Sequence, residues 1–277
     1  MKIIDGRKLA DEILTELKKE ILAENLQPGL GIILVGDEPS SGLYVRAKEA
    51  AAQKLGVRIE KQILSDKATE EEILSAVELF NRNAQIDGIL VQLPLPKNVS
   101  VDRIVQSIKL SKDVDGFLPE SKFDSPFVAA IWRAIEATEE NLKGKQALAL
   151  VKSDTFGRAL SAFLNKKELR GDYIVCREKS VCPAEARDAD IVVTALGWPG
   201  FLKPEMIKKG AILIDGGISR KNGQTVGDID TASVSGKAKW LAPAPGGVGP
   251  LTVALLLKNV VSACSIRTGE KRPTGVK

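Results

Sequence analysis

Tyr44 and Lys48 stand four residues apart, so on a helix they share one face. A lysine in a partly apolar cleft can have its pKa lowered and then serve as acid or base. Gln92 carries an amide that can orient such a lysine without adding charge. Asp115 carries a carboxylate that could accept hydrogen bonds from the N–H groups of a heterocycle. Taken singly, each residue also fits an ordinary role: a solvated surface lysine, a strand cap, a turn residue before Gly116. The chain contains no histidine. That excludes Ser-His-Asp and Cys-His catalysis and histidine-ligated metal. Proton transfer near neutral pH must then use Lys, Tyr, Asp, Glu or water.

The elements that would position these groups follow from hydrophobic patterning. Leu9, Ile13, Leu14, Leu17 and Ile21 recur at helical spacing and predict a helix from residue 7 to about 24. Residues 31–35 form a short apolar run that reads as a buried strand, followed by a loop at Gly36 and Asp37. Helix is expected over about 41–55 and 70–81, and strand over 58–64 and 88–91. The alternation predicts a parallel sheet covered on both faces. Ligands of such sheets bind beyond the carboxyl ends of the strands. The segments 35–48, 92–96 and 112–117 should therefore converge on one cleft. A second unit begins near residue 145, with strands expected at 147–151, 172–176, 191–197 and 211–215, and a helix opening at Gly157. This is a doubly wound, nucleotide-binding type of pattern. A helix is expected from Pro250 to about Ser265, packing back on the first unit.

Composition bounds the remaining possibilities. With 277 residues, 44% hydrophobic and 27% charged, the chain has the balance of a globular protein of one large or two ordinary domains. A net charge of +4 does not argue for nucleic acid or an anionic membrane as partner. Three cysteines, Cys176, Cys182 and Cys264, with no Cys-x-x-Cys pair, read as buried or inert thiols in a reducing compartment rather than a disulfide framework or zinc site. No signal-like region follows the N-terminus, and no segment is expected to reach the roughly 20 apolar residues that span a bilayer. The expectation is a cytoplasmic protein with no membrane association.

Four motifs carry a resemblance. They are Val35-Gly36-Asp37-x-Pro39-x-Ser41-x-x-Tyr44-Val45-x-x-Lys48, the run 87–96 ending in Gln92-Leu93-Pro94-Leu95-Pro96, Lys112-Asp113-Val114-Asp115-Gly116-Phe117, and Pro243-x-Pro245-Gly246-Gly247-Val248-Gly249-Pro250-x-Thr252. In this order, and over nearly the whole chain, the sequence resembles the bifunctional methylenetetrahydrofolate dehydrogenase/methenyltetrahydrofolate cyclohydrolase family. The resemblance implies an α/β fold of two domains: a parallel-sheet catalytic domain over 1–118, completed by the helix 250–268, and a Rossmann-type dinucleotide-binding domain over 140–245. It implies interconversion of 5,10-methylene-, 5,10-methenyl- and 10-formyl-tetrahydrofolate. The steps are hydride transfer to NADP, with NAD a second candidate, and hydrolysis of the methenyl ring without a metal. Lys48 matches the family's catalytic lysine, Gln92 the residue that tunes it, and Tyr44 the aromatic residue stacking along the folate. Asp115 matches the carboxylate that binds the pterin. Gly246, Gly247 and Pro250 fall in a loop closing over the cleft. A homodimer acting in one-carbon metabolism and purine biosynthesis is implied by the same likeness.

The departures cluster in the second unit. The family's Gly-Arg-Ser-x-x-Val-Gly becomes Val151-Lys152-Ser153-Asp154-Thr155-Phe156-Gly157. A Cβ-branched residue at a glycine position can block a dinucleotide, and Lys152 lacks the bidentate fork that suits a 2′-phosphate. The usual His-Ser-x-Thr becomes Arg177-Glu178-Lys179-Ser180, and Asp-Val-Gly-Ile-Asn becomes Asp215-Gly216-Gly217-Ile218-Ser219. The nucleotide contacts then expected are Lys152, Ser153, Gly157, Arg177, Lys179 and Ile218. Glu178 is the one acidic candidate for the ribose of NAD, countered by its basic neighbours. Two readings stay open: both activities retained, favoured by the surplus positive charge, or a cyclohydrolase or folate-binding relative with impaired dehydrogenase activity.

Overall fold

The structure is a computed structural model. It describes residues 1–36, 39–179, 184–221 and 223–271; the side chains of 39–44, 270 and 271 are not part of the description. Cys182, Ser180 and Asp37 therefore lie outside the described residues. In chain order the elements are β1 (Lys2–Ile3), α1 (Gly6–Glu24), β2 (Gly29–Val35), α2 (Pro39–Leu55), β3 (Arg58–Leu64), α3 (Glu70–Arg82), β4 (Gly88–Val91), α4 (Val101–Gln106) and α5 (Pro126–Glu136). There follow β5 (Gln146–Val151), α6 (Asp154–Lys166), β6 (Arg170–Val175), β7 (Ile191–Ala195), β8 (Ile212–Asp215), β9 (Ser219–Lys221), β10 (Gln224–Val226), α7 (Thr231–Val234), β11 (Trp240–Ala242) and α8 (Val248–Lys271).

The chain divides into two compact units, one of residues 11–126 with 253–277 and one of 1–10 with 127–252. The first holds a three-stranded parallel sheet in the order β3-β2-β4. Successive side chains on a strand point to opposite faces, and β2 shows it. Leu30 and Ile32 join a core cluster with Leu17, Ile21, Val45, Ala52 and Leu55 and with Leu256, Leu257 and Val260 of α8. Ile33 and Val35 join the opposite cluster with Ile73, Val77 and Phe80 of α3. Both faces are covered, which accounts for the unbroken apolar run in β2. Asp87, just before β4, accepts from Gly29 N at 2.9 Å and pairs with Arg267 of α8 at 2.5 Å, locking the C-terminal helix to the sheet.

The second unit holds a six-stranded parallel sheet ordered β1-β11-β8-β7-β5-β6. Leu148, Leu150, Val192, Leu213 and Leu241 form the heart of one of its faces. A separate antiparallel pair, β9 and β10, follows β8.

Three expectations need correction. The first ten residues do not belong with the three-stranded sheet: Lys2 and Ile3 pair with Trp240 and Leu241 and extend the other one. The helix after β5 begins at Asp154, not Gly157, because Ser153 caps it by accepting from Phe156 N at 3.3 Å. One helix among the described residues, Val248–Gly269, is long and apolar enough to cross a membrane by length and composition. Its apolar side chains Val253, Leu256, Leu257, Val260 and Val261 are instead packed into the core of the three-stranded unit.

Candidate active site and nucleotide site

Lys48 lies on α2, one turn after Tyr44 and between the core residues Val45 and Ala52. Its side chain is buried, at 8% exposure. Burial holds the amine below the ordinary lysine range, and the charge of Asp115 opposes that shift. Gln92 begins the segment beyond β4; its N–H bonds to Ile33 O at 2.9 Å, continuing the sheet by one residue. Its Oε1 accepts from Lys48 Nζ at 2.9 Å, and its Nε2 donates to Leu93 O at 2.9 Å. The amide is therefore fixed with its oxygen toward the lysine. Leu93-Pro94 is a cis peptide bond.

Asp115 sits in the turn Asp113–Gly116. Loss of hydration pushes its carboxyl up to about 6; Lys48 pulls it down and Asp113 pushes it further up. The turn is built by Asp113, which is fully buried and accepts from Phe117 N at 3.2 Å and Leu118 N at 2.9 Å. Asn259 of α8 donates to Val114 O at 2.8 Å, holding the turn from the other side. Gly116 has φ +65°, and a Cβ there would lie 2.5 Å from Phe123 O, so only glycine closes this turn. Thus Lys48 and Gln92 meet beyond the carboxyl end of β4, and Asp115 is close enough for its charge to act on Lys48. Tyr44 is placed on the same helix by its backbone; its side chain is outside the description.

The direction of the Asp115 shift predicts a stability effect. With a native pKa of about 6 against an ordinary 3.8, the folded chain binds more protons than the unfolded chain between those values. Stability then falls as pH rises through that window. Asp115→Asn should gain stability over the wild type progressively from about pH 4 to pH 6. Urea unfolding of both proteins at several pH values checks this; a difference independent of pH refutes the assignment.

In the six-stranded unit, Ser153 is at the N-cap of α6 and Gly157 lies in its first turns. A Cβ at Gly157 would stand 2.2 Å from Tyr173 Cδ2 of β6. This is the helix–strand approach that the last glycine of a dinucleotide fingerprint serves. Val151 closes β5 with its side chain fully buried, so its bulk lies in the interior and not in the loop beyond the strand. Lys152 is exposed, with Nζ 5.2 Å from the centre of the Trp198 ring. Arg177, Glu178 and Lys179 are exposed beyond β6, and Ile218 is exposed beyond β8.

Patterning missed the polar brace beneath these loops. Asp228 accepts from Leu196 N at 2.7 Å and Trp198 N at 2.5 Å. Asp215 accepts from Gly217 N at 3.0 Å, Asp228 N at 3.0 Å and Ile229 N at 2.9 Å, and burial pushes its carboxyl up to about 7. Thr194 Oγ1 donates to Asp215 at 3.4 Å. Two buried acids thus tie the loops beyond β7 and β8 to the hairpin's end. The segment Gly227-Asp228-Ile229-Asp230 gave no periodic signal that could have found them.

Gly246, Gly247 and Pro250 fall in the six-stranded unit, between β11 and the first turn of α8, and not in the unit that holds Lys48. Gly246 has φ +107°. Gly247 N donates to Pro243 O at 2.7 Å, and a Cβ at Gly6 would stand 1.8 Å from Gly247 O.

A desolvated lysine fixed by an amide at a parallel-sheet edge, in a chain that also holds a doubly wound sheet with a dinucleotide-type helix turn, defines an α/β enzyme of the nucleotide-dependent class. Family models agree and are more specific. Residues 4–115 match the tetrahydrofolate dehydrogenase/cyclohydrolase catalytic domain, and residues 126–268 match the NAD(P)-binding domain of the same family. The chain belongs to the tetrahydrofolate dehydrogenase/cyclohydrolase family. It is 38% identical to the bifunctional protein FolD of Halothermothrix orenii, over 95% of this chain and 97% of that one. The bifunctional FolD structure from Campylobacter jejuni matches with a TM-score of 0.86 and 35% identity, covering 96% of this chain and 99% of its own. The Trypanosoma brucei methylenetetrahydrofolate dehydrogenase-cyclohydrolase, complexed with NADP cofactor and inhibitor, matches with a TM-score of 0.87 and 29% identity over 98% of each chain.

Proposed function

We propose that this chain oxidises 5,10-methylenetetrahydrofolate with NADP and hydrolyses the methenyl product to 10-formyltetrahydrofolate. The observation that carries the reading is the buried Lys48 amine bonded to Gln92 and electrostatically coupled to Asp115.

In this reading Asp115, ionised above about pH 6, accepts N–H bonds of the pterin and sets the one-carbon unit near Lys48. Tyr44 stacks along the folate, and Gly246, Gly247 and Pro250 supply a further substrate contact. Gln92 fixes the amine's position without placing a second charge beside it. An amine with a lowered pKa has more of its neutral form near pH 7 and can take and return a proton. As water attacks the electrophilic methenyl carbon, Lys48 receives a proton from the attacking water. It then delivers one to the ring nitrogen as the C–N bond opens to the formyl product. Gln92 and Lys48 form the catalytic pair, and Tyr44 is the third residue assigned to catalysis in this reading.

The six-stranded unit fits a dinucleotide. Gly157 allows α6 to approach β6, the α6 N-terminus presents its amides, and Lys152, Ser153, Arg177, Lys179 and Ile218 surround that end of the sheet. When bound, the nicotinamide supplies the acceptor for the hydride that leaves the methylene carbon. The same reading makes the protein a cytoplasmic homodimer whose formyl product feeds purine biosynthesis.

Purified chain given methylenetetrahydrofolate and NADP should reduce the nucleotide, and given methenyltetrahydrofolate alone should hydrolyse it. Turnover in neither assay at saturating folate refutes the function.

A further inference from the structure

Lys152, beside the N-cap of α6, carries its amine toward the loop beyond β7. β5 and β6 are parallel neighbours with Val151 opposite Val175, and Cys176 N donates to Val151 O at 2.8 Å. The segments leaving these two strands therefore start side by side at one sheet edge. In a doubly wound sheet the pyrophosphate rests at the helix after the first strand. The adenosine ribose is reached by a side chain just beyond the neighbouring strand, about 20 residues after the glycine turn. Glu178 is 21 residues after Gly157 and three beyond the end of β6.

Lys152 points elsewhere. Its Nζ lies over the Trp198 ring, and a Cβ on Gly197 would be 3.9 Å from it. Gly197 and Trp198 follow β7, which flanks β5 on the side away from β6. The Lys152 charge also acts on Asp228, which holds the Trp198 backbone N–H. The amine is thus turned toward the half of the site that NAD and NADP share. Among the described residues directly after β6, Arg177, Glu178 and Lys179 are charged and exposed.

Resting on the dinucleotide reading above, we propose that Glu178 sets the nucleotide preference. Its carboxylate accepts the 2′-hydroxyl of the adenosine ribose and repels a 2′-phosphate, so the chain binds NAD as well as NADP. Arg177 and Lys179 offset that repulsion for NADP, without the bidentate geometry that a matched arginine would give.

Equilibrium titration of the full chain with each nucleotide separately, followed by calorimetry, tests this. The wild type should bind the two with affinities within about tenfold of each other. Glu178→Ser should tighten NADP by about tenfold and weaken NAD by several-fold. Lys152→Ala should weaken both by a similar factor. Because Glu178 is exposed, its variant should keep the wild-type melting temperature, which verifies folding. A Glu178→Ser variant with an unchanged NADP-to-NAD ratio overturns the role of Glu178 alone. Absence of binding by either nucleotide to the wild type overturns the dinucleotide reading and this inference together.

Discussion

Lys48→Met should lower methenyltetrahydrofolate hydrolysis by about 10²–10⁴-fold, the usual contribution of a positioned acid–base group. Methionine nearly matches the length and suits the surroundings, since Lys48 is buried between core residues of α2. The fold should survive. Removing a buried amine costs its bond to Gln92 but also removes the cost of keeping it out of water. Lys48→Arg should not restore activity, because a guanidinium cannot give up its proton near neutral pH. The decay of methenyl absorbance measures the rate, and a folate titration of the same variant measures binding. Retained binding with lost hydrolysis is expected. Equal rates in wild type and variant would remove Lys48 from the chemistry.

Gly6→Ala should destabilise the protein by about 1–3 kcal/mol, the range seen when atoms are forced into a packed interior. The new methyl would stand 1.8 Å from Gly247 O and 2.8 Å from Gly247 Cα. These are backbone atoms and cannot turn aside as a side-chain end would. Either α1 moves away from the segment or the Pro243–Gly247 turn is displaced. If the turn moves, the Michaelis constant for folate should rise with it, because Gly246 and Gly247 are proposed substrate contacts. Thermal unfolding and steady-state kinetics on one preparation separate the two results. A variant with wild-type melting temperature and Michaelis constant would show that this close approach is unimportant.

Much of the scaffold was readable in advance because its signals are local. The strand expected over 58–64 and the apolar run 88–91 gave β3 and β4 at their observed bounds, and the repeat of Leu9, Ile13, Leu17 and Ile21 gave most of α1. The short strands β1 and β11 were not readable. Each is two or three residues long, and Lys2 pairs with Trp240, so no window of sequence contains both partners. No element was expected over α5, although Val128, Ile131 and Ile135 are fully or nearly fully buried, because a helix of eleven residues shows only three turns of apolar spacing. The site shows the same division. Residue types named Lys48, Gln92 and Asp115, but the burial that changes the acidity of Lys48 and Asp115 arises from packing between α2, β4 and the turn that Asp113 and Asn259 hold. The direction of Lys152 depends on Trp198, 46 residues further on.

The interleaving of the two units constrains how the chain can be made. Residues 11–126 acquire the core partners Val253, Leu256, Leu257 and Val260 only from α8. On a translating ribosome the intervening sheet has left the exit tunnel before those residues do. The half bearing Lys48 must wait, with Leu30, Ile32 and Val45 still short of their covering helix, while the later-made half can already close around β5 to β8. A released chain ending at residue 252 should therefore protect the nucleotide half from protease and leave the lysine half open to cleavage.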